Sequence, residues 1–321
     1  PRGHAIADAT DAALLGALAI AGREDAERWG AERARVAFVA MGRYGGRECS
    51  YASDADVIAL HEAVGGASDS EAAASATAIV NRVKKLLGSA TSQLGIVVDL
   101  DLRPEGKNGP MSRTIASHEE YAQRWASTWE RQAAVRARPI GDGGLAQAAR
   151  SLFESMAYRD VSESEVRDIR LLKARMENER LPRGTEPARH VKLGPGGLSD
   201  VEWTIQLIQM RHGREVEALR TSSTTDAIAA ARDAGLLEAP DAEILLNAWD
   251  LATRIRAGNT LATGRMSGVK LDVVPRDSAE LGALAAILGY GSGGLTALEE
   301  DWLRAARQAR DVMERAFWEQ Q

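Results

Sequence analysis

The feature that most constrains this chain is a diglycine followed, a few residues later, by two aspartates at the start of an apolar run. Gly45-Gly46 precedes Ser53-Asp54-Ala55-Asp56, and Asp54–Leu60 has the composition of a strand. Side chains two residues apart in a strand project from the same face. The sequence therefore predicts that Asp54 and Asp56 place two carboxylates side by side where this strand begins.

Two further segments have the pattern of strands. Arg35–Met41 is a short apolar run closed by glycine, and apolar and polar side chains alternate through Gly95–Arg103. In the second segment Asp99 and Asp101 share one face, which brings acidic side chains to another strand. We expect the acids of the two strands to converge on one site.

These residue types suit phosphate chemistry that depends on metal ions. Mg²⁺ prefers oxygen ligands such as carboxylates and keeps its other positions for water and phosphate. Three carboxylates can hold two metal ions, which clamp the attacking and leaving oxygens of an in-line displacement. A diglycine lets backbone N–H groups approach phosphate oxygens, because no Cβ is in the way. The segment is neither a P-loop nor a dinucleotide-binding fingerprint, because both spacings are absent.

The alternative is that Asp54 and Asp56 belong to a solvated turn, which is the commoner setting of an Asp-x-Asp pair. Here the pair opens a strand, follows a diglycine at short range and is joined by a second acidic strand. The combination favours a catalytic site.

The remainder of the chain indicates helices. Residues 1–34 have a helical composition, helices are predicted over about 71–90 and 117–137, and the pattern after about residue 145 is helical throughout. The clearest apolar stripe has steps of four and three residues and consists of Leu298, Trp302, Ala305, Ala309, Val312 and Ala316. We predict an α+β fold with a helical segment over 1–34, a small mixed-sheet domain bearing the site over 35–144 and a helical bundle over 145–321.

Charge, cysteine content and hydropathy limit the partners and the compartment. The net charge is −6, whereas a polynucleotide-binding protein usually has a strong basic excess, so no nucleic-acid partner is expected. A single cysteine permits neither a disulfide framework nor a cysteine-based zinc site, which makes the cytoplasm the expected compartment. No apolar run approaches the roughly 18 residues of a membrane span. The chain starts without an initiator Met, and we expect it to be a segment of a longer protein.

Four segments carry a resemblance to a known family. They are Met41–Asp56 (MGRYGGRECSYASDAD), Val98–Pro110 (VDLDLRPEGKNGP), Thr128–Arg138 (TWERQAAVRAR) and Lys192–Trp203 (KLGPGGLSDVEW). In this order they resemble the glutamine synthetase adenylyltransferases, bifunctional regulators of glutamine synthetase that belong to the DNA polymerase β-like nucleotidyltransferase superfamily. Family members carry one catalytic half that removes AMP and one that attaches it. The third segment is similar to the attaching, C-terminal half.

The resemblance implies an enzyme that moves AMP from ATP to a tyrosine of glutamine synthetase, with Mg²⁺ as cofactor. By the family's pattern Asp54, Asp56 and Asp99 are catalytic metal ligands, while the role of Asp101 stays open. The candidates for contacts with the triphosphate are Gly45, Gly46, Ser53, Arg103 and Lys107. A PII-type signal protein is a further candidate partner. The alternatives are the AMP-removing reaction and a non-catalytic nucleotide-sensing or docking module.

A second glycine–acid motif lies in the fourth segment. Gly196-Gly197 precedes Asp200 and Glu202, but Ser199-x-x-Glu202 has the pattern of a helix capping box. On a helix the two acids point to different faces. We therefore expect this motif to be structural.

Other residues with possible chemical roles receive more ordinary interpretations. Trp125 and Trp129 are a turn apart and are expected in the core, and Cys49 is expected to pack. Arg136 and Arg138 would lie near the triphosphate if their helix packs beside the sheet. No His-Asp dipeptide occurs, which counts against the related PII uridylyltransferases.

Overall fold

The computed structural model describes residues 2–51, 53–88, 95–291 and 294–319, and within them the fold is α+β as predicted. The strands are β1 (Ala34–Ala40), β2 (Ala55–Ala63), β3 (Val98–Asp99), β4 (Ser112–Arg113) and β5 (Arg138–Pro139). The helices up to the last strand and just after it are α1 (Arg2–Trp29), α2 (Gly42–Gly45), α3 (Asp69–Leu87), α4 (Ile115–Arg124), α5 (Thr128–Ala134) and α6 (Gly144–Ala157). The remaining helices are α7 (Glu163–Glu179), α8 (Leu198–His212), α9 (Thr224–Asp233), α10 (Ala239–Thr263), α11 (Ser278–Ile287) and α12 (Gly294–Met313).

The chain forms two compact units. The first comprises residues 1–49 and 53–159, and the second comprises residues 50–52 and 160–321. Each has a hydrophobic core of its own. The division at residues 34/35 and 144/145 stays a prediction; α6 begins at residue 144 and lies within the first unit.

The sheet of the first unit is mixed. Its strand order is β3-β2-β1-β5, and β4 also pairs with β2. β1 and β2 are antiparallel, whereas β3 and β4 both run parallel to β2. Parallel neighbours need a long crossover, and here α3 supplies it between β2 and β3. This connection brings the second acidic segment alongside the first.

Helices cover both faces of this sheet. Alternate side chains such as Phe38 and Val57 share a core cluster with buried residues of α1 and α3. Ile58, on the other face of β2, is also buried, and α4 and α6 contact the strands there. Burial on both faces is consistent with the continuous apolar runs of β1 and β2.

Two predicted elements were wrong in extent. The strand predicted over Gly95–Arg103 consists of Val98–Asp99 only, because the chain beyond Asp99 curls into turns. The helix predicted over 117–137 is interrupted, because a capping box between Ser127 and Glu130 starts a new helix. Residues 1–34 are helical as predicted, from Arg2 to Trp29. The end of the helix predicted over 71–90 lies outside the described residues.

The length of α1 contradicts the prediction that no apolar segment is long enough to span a membrane. The helix Gly3–Trp29 is long and apolar enough to cross a membrane by length and composition. A single helix of this kind near an N-terminus is weak evidence for a span, because core helices of other proteins meet the same criterion. Here α1 buries Ala7, Leu14, Ala17 and Ala21 in the core cluster that also contains residues of α3.

The second unit is helical, as predicted. The stripe of α12 is buried from Leu298 to Val312 and packs against α10, α11 and α8. Residues 314–318 form a π-helical turn, in which Phe317 is buried and Ala316 is only half-buried. The wider turn adds a residue to the repeat and so moves the buried position by one.

Candidate active site

Asp56 and Asp99 lie opposite each other on neighbouring strands. The parallel register pairs Ala55 with Val98 and Asp56 with Asp99. Paired residues on strands about 4.8 Å apart project from the same face, so these two half-buried carboxylates stand side by side. Asp54 precedes β2 by one residue and is exposed. The structure thus brings two of the three predicted acids together and leaves the third at the approach to them.

Gly42 makes room for the carboxylate of Asp56. Its φ is +53°, in the left-handed region that favours glycine, and a Cβ here would lie 3.1 Å from Oδ2 of Asp56. The adjacent Met41 N–H donates to the backbone carbonyl of Asp56 at 2.9 Å. Sequence reasoning concentrated on Gly45-Gly46 and missed Gly42, although a glycine directly after a buried strand was a usable signal.

The diglycine has a backbone role in this structure. The Gly45 N–H donates to the Met41 carbonyl at 2.7 Å, and the Gly46 N–H donates to the Gly42 carbonyl at 3.1 Å. A Cβ on Gly45 would lie 1.9 Å from the carbonyl oxygen of Arg136, so glycine is required for the two backbone segments to pass. Both N–H groups donate hydrogen bonds within the turn. Phosphate contacts by this pair, or by the half-buried Ser53, stay a prediction.

The loop after β3 orients Asp99 and separates it from Asp101. Oδ1 of Asp99 accepts a hydrogen bond of 2.7 Å from the Asp101 N–H. The Asp101 carboxylate instead lies 3.2 Å from Nζ of Lys107 and 3.8 Å from the guanidinium of Arg103. The predicted common face of Asp99 and Asp101 was therefore wrong, because the strand ends between them.

Arg103 holds this loop together. Its buried guanidinium donates to the backbone carbonyls of Leu100 at 2.9 Å, Lys107 at 3.1 Å and Gly109 at 3.3 Å. Lys107, by contrast, has a side chain that is 80% exposed and contacts protein through the Asp101 carboxylate. Of the two predicted triphosphate contacts in this loop, Lys107 has the freer side chain, and both assignments stay predictions.

The donor set fits a hard divalent cation. Carboxylates on two neighbouring strands, with a third two residues before one of them, are the oxygen ligands that Mg²⁺ takes. Within residues 2–51, 53–88, 95–291 and 294–319, no three acidic, histidine or cysteine side chains are already grouped to hold a metal. Asp54 is the side chain that would have to turn toward Asp56 and Asp99 to complete the site.

Arg136 stabilises the backbone of the first glycine–acid motif at Gly42. Its guanidinium forms a buried ion pair with Glu48 and donates through Nε to the Gly42 carbonyl at 3.1 Å. Gly42, whose backbone conformation leaves room for Asp56, is therefore held in place by the Arg136–Glu48 ion pair. Arg136 and Glu48 are 88 positions apart in sequence. This contact was beyond sequence reasoning.

Arg138 joins the motif to α1. It donates to both carboxylate oxygens of Asp11, at 2.8 and 3.0 Å, and to the Gly45 carbonyl at 3.1 Å. Tyr44 donates its hydroxyl to the same Asp11 at 2.5 Å, and burial together with this bond raises the pKa of the tyrosine. Arg136 and Arg138 lie beyond the helix in which they were predicted, because it ends at Ala134. Their position near a triphosphate stays a prediction.

Two family models match successive parts of this chain. Residues 4–152 match the family model described as glutamate-ammonia ligase adenylyltransferase, and residues 170–317 match that of GlnD PII-uridylyltransferase. A Streptomyces coelicolor protein named bifunctional glutamine synthetase adenylyltransferase/adenylyl-removing enzyme is 45% identical over 98% of this chain. The chain belongs to the glutamine synthetase adenylyltransferase family. The resemblance inferred from the four segments is confirmed.

Other relatives carry the same name and show the same partial coverage. The Bifidobacterium longum subsp. infantis protein is 44% identical over 98% of the chain, and the Mycobacterium marinum protein is 39% identical over 95%. The chain spans about 30–31% of the length of these relatives. Their name covers both AMP attachment and AMP removal.

The second glycine–acid motif is built into the helical unit. Asp200 is 1% exposed and accepts from Nζ of Lys173 at 2.5 Å and from the Gly196 N–H at 2.8 Å. Arg310 also donates to it, at 3.2 Å. The capping box predicted for Ser199 was wrong, because Gly197 is the N-cap of α8 and the Ser199 hydroxyl accepts from Lys173 at 3.0 Å.

The tryptophans and the cysteine divide between surface and core. Trp125 is 73% exposed and Trp129 is 42% exposed, so their expected place in the core was wrong. α4 ends just before Trp125, which removes it from the helical stripe. Cys49 is buried as predicted, and burial raises the pKa of its thiol to about 11.

Proposed function

We propose that this chain transfers AMP from ATP to a tyrosine of glutamine synthetase and releases pyrophosphate. The observation that carries the proposal is the register that sets Asp56 opposite Asp99, with Gly42 leaving space beside the carboxylate. It occurs in a chain of the glutamine synthetase adenylyltransferase family. A paired-carboxylate site of this kind would be unnecessary in a module that only docks onto a partner.

In the proposed reaction the tyrosine hydroxyl releases its proton to solvent and its oxygen bonds to the α-phosphorus, while the bond to the leaving pyrophosphate breaks. Asp54, Asp56 and Asp99 would hold Mg²⁺, which supplies charge neutralisation to the triphosphate and to the attacking and leaving oxygens. The chain itself positions these carboxylates: the β2–β3 register sets their spacing, and the Asp101 N–H orients Asp99. Positioning and electrostatic stabilisation then carry the rate enhancement.

The direction of the reaction rests on sequence. Thr128–Arg138 is similar to the attaching half of the family, and in the structure Arg136 and Arg138 donate to the backbone carbonyls of Gly42 and Gly45. AMP removal, in which phosphate attacks adenylyl-tyrosine, uses the same displacement at the same carboxylates. A PII-type signal protein as partner and a cytoplasmic location also stay predictions.

The test is intact-mass analysis of glutamine synthetase incubated with this chain, ATP and Mg²⁺. We expect one adenylyl group to be added per modified subunit, and the Asp54→Asn variant to add none. In a parallel reaction, adenylylated glutamine synthetase and phosphate should yield little ADP. Strong ADP release without labelling would reverse the direction. Nucleotide binding with neither reaction would identify a non-catalytic module.

A further inference from the structure

A small cavity lies on the same face of the sheet as the acidic pair. Its volume is about 20 Å³, and its lining includes Ile58 of β2 together with Leu102 and Pro104 of the loop after β3. Ile58 is two residues beyond Asp56 and therefore shares its face, and Leu102 follows Asp99 by three residues. The cavity is thus lined by the next residue after Asp56 on the same face of β2.

His118 lines this cavity, and its buried Nδ1 makes no hydrogen bond within the residues that the structure describes. His118 is 2% exposed. The imidazole is held edge-on against Phe153, with ring centroids 5.2 Å apart. A nearby polar pair is already satisfied, because the Tyr121 hydroxyl donates to Glu130 at 2.9 Å. Buried polar atoms are normally paired, so the nitrogen marks a place for a ligand group.

The imidazole is uncharged near neutral pH. Burial, assisted by the nearby guanidinium of Arg113, lowers the pKa of His118 to about 4. A neutral ring keeps one nitrogen as an acceptor. His118 is thereby suited to a neutral N–H donor rather than to a phosphate.

Trp129 connects the cavity to the surface. It belongs to the lining, yet its indole is 42% exposed. A half-exposed indole beside an apolar cavity offers a face on which a planar heteroaromatic ring can stack. Trp125, which is 73% exposed, lies outside this lining and provides a natural control.

We propose that the cavity receives the exocyclic amino group of the adenine base of ATP. Nδ1 of His118 accepts a hydrogen bond from this amino group, and the base stacks on the indole of Trp129. A volume of about 20 Å³ has room for one water molecule or one amino group, but not for a whole base. The base would therefore lie outside and insert only its edge. The inference rests on the proposed function, because it takes the triphosphate to lie at the acidic pair.

The first test is equilibrium binding of two nucleotides to the whole chain in the presence of Mg²⁺. Purine riboside triphosphate differs from ATP by lacking the 6-amino group, so it cannot fill the hydrogen bond. We expect it to bind about fivefold to tenfold more weakly than ATP, the effect of one buried hydrogen bond. In His118→Phe, which keeps an aromatic ring against Phe153, the two nucleotides should bind equally.

The second test separates stacking from base recognition. Trp129→Ala should weaken both nucleotides about tenfold, because stacking acts on either ring, and should retain the preference for ATP. Trp125→Ala should change neither value. Both side chains are well exposed, so these variants are suitable if His118→Phe fails to fold.

The outcomes distinguish this inference from the proposed function. Equal binding of the two nucleotides by the unaltered chain, or an unchanged preference in His118→Phe, would overturn the inference while adenylylation of glutamine synthetase could still be observed. A chain that labels glutamine synthetase with AMP and prefers ATP only when His118 is present supports both. A chain that binds neither nucleotide refutes both.

Discussion

The two glycine–acid motifs of this chain look alike in sequence and differ in what surrounds the acid. In the first, Asp54 is exposed and Asp56 is half-buried opposite another carboxylate, Asp99. In the second, Asp200 is buried between the cationic groups of Lys173 and Arg310. The first arrangement gathers negative charge at an accessible edge, and the second neutralises it in the interior.

This difference separates a ligand site from a structural cluster. Accessible carboxylates of like charge repel one another, and a bound cation relieves this repulsion. Such a pair therefore favours cation binding. A buried carboxylate with two cationic partners is already compensated, and breaking the cluster leaves an uncompensated charge in the core. The same pattern of residue types therefore predicts opposite responses to mutation.

The largest expected effect is at Asp54. Asp54→Asn should reduce AMP transfer by more than roughly a hundredfold, because one ligand of the proposed metal site is lost where charge develops in the reaction. Its thermal midpoint should stay nearly unchanged, because the side chain is exposed. Transfer rates and calorimetry on the same preparation measure both. Near-normal turnover would remove Asp54 from the metal site.

The same substitution in the second motif should act on stability. Asp200→Asn removes the fully buried counter-charge of Lys173 and Arg310 and leaves them only the half-buried Glu177 in common, so we expect the free energy of unfolding to fall by about 3–5 kcal/mol. Glu314→Gln is the control, because Glu314 is a half-exposed partner of Arg310 and should cost less than about 1 kcal/mol. Urea unfolding provides the comparison. If both variants were equally stable, the buried cluster would not hold the helical unit together.

Both motifs use glycine for close backbone contact, which a third prediction tests. In Gly45→Ala the new Cβ would meet the Arg136 carbonyl, and in Gly196→Ala it would meet that of Ala306 at 1.7 Å. We expect each to lose about 1–3 kcal/mol of unfolding free energy, as overpacked sites do. Gly16→Ala in α1 has open space and should gain about 0.5–1 kcal/mol. A neutral Gly45→Ala would contradict the close approach.

The smallest expected effect is at Asp101. Its carboxylate pairs with Lys107 and Arg103, so Asp101→Ala should retain measurable transfer, whereas Asp99→Ala should be close to inactive. Steady-state rates at saturating ATP measure the difference. Equal loss in both variants would show that the loop's ion pairs matter as much as the acid in the strand.

The long elements of the fold could be predicted because their patterns are strong. β1, β2 and the stripe of α12 follow directly from apolar runs and from steps of three and four residues. The two-residue strands β4 and β5 were missed, since Ser112–Arg113 and Arg138–Pro139 are too short to show a period. Strands of this length exist because a neighbouring strand pairs with them.

At the site, the sequence alone determined the residue types and the family, because carboxylates and glycines at these spacings are chemically specific. Tertiary structure decided which acids meet: the α3 crossover sets Asp56 opposite Asp99, and the turn after β3 withdraws Asp101. It also decided that the similar Asp200 is buried with Lys173. Charge compensation depends on side chains distant in sequence, and only the folded chain brings those together.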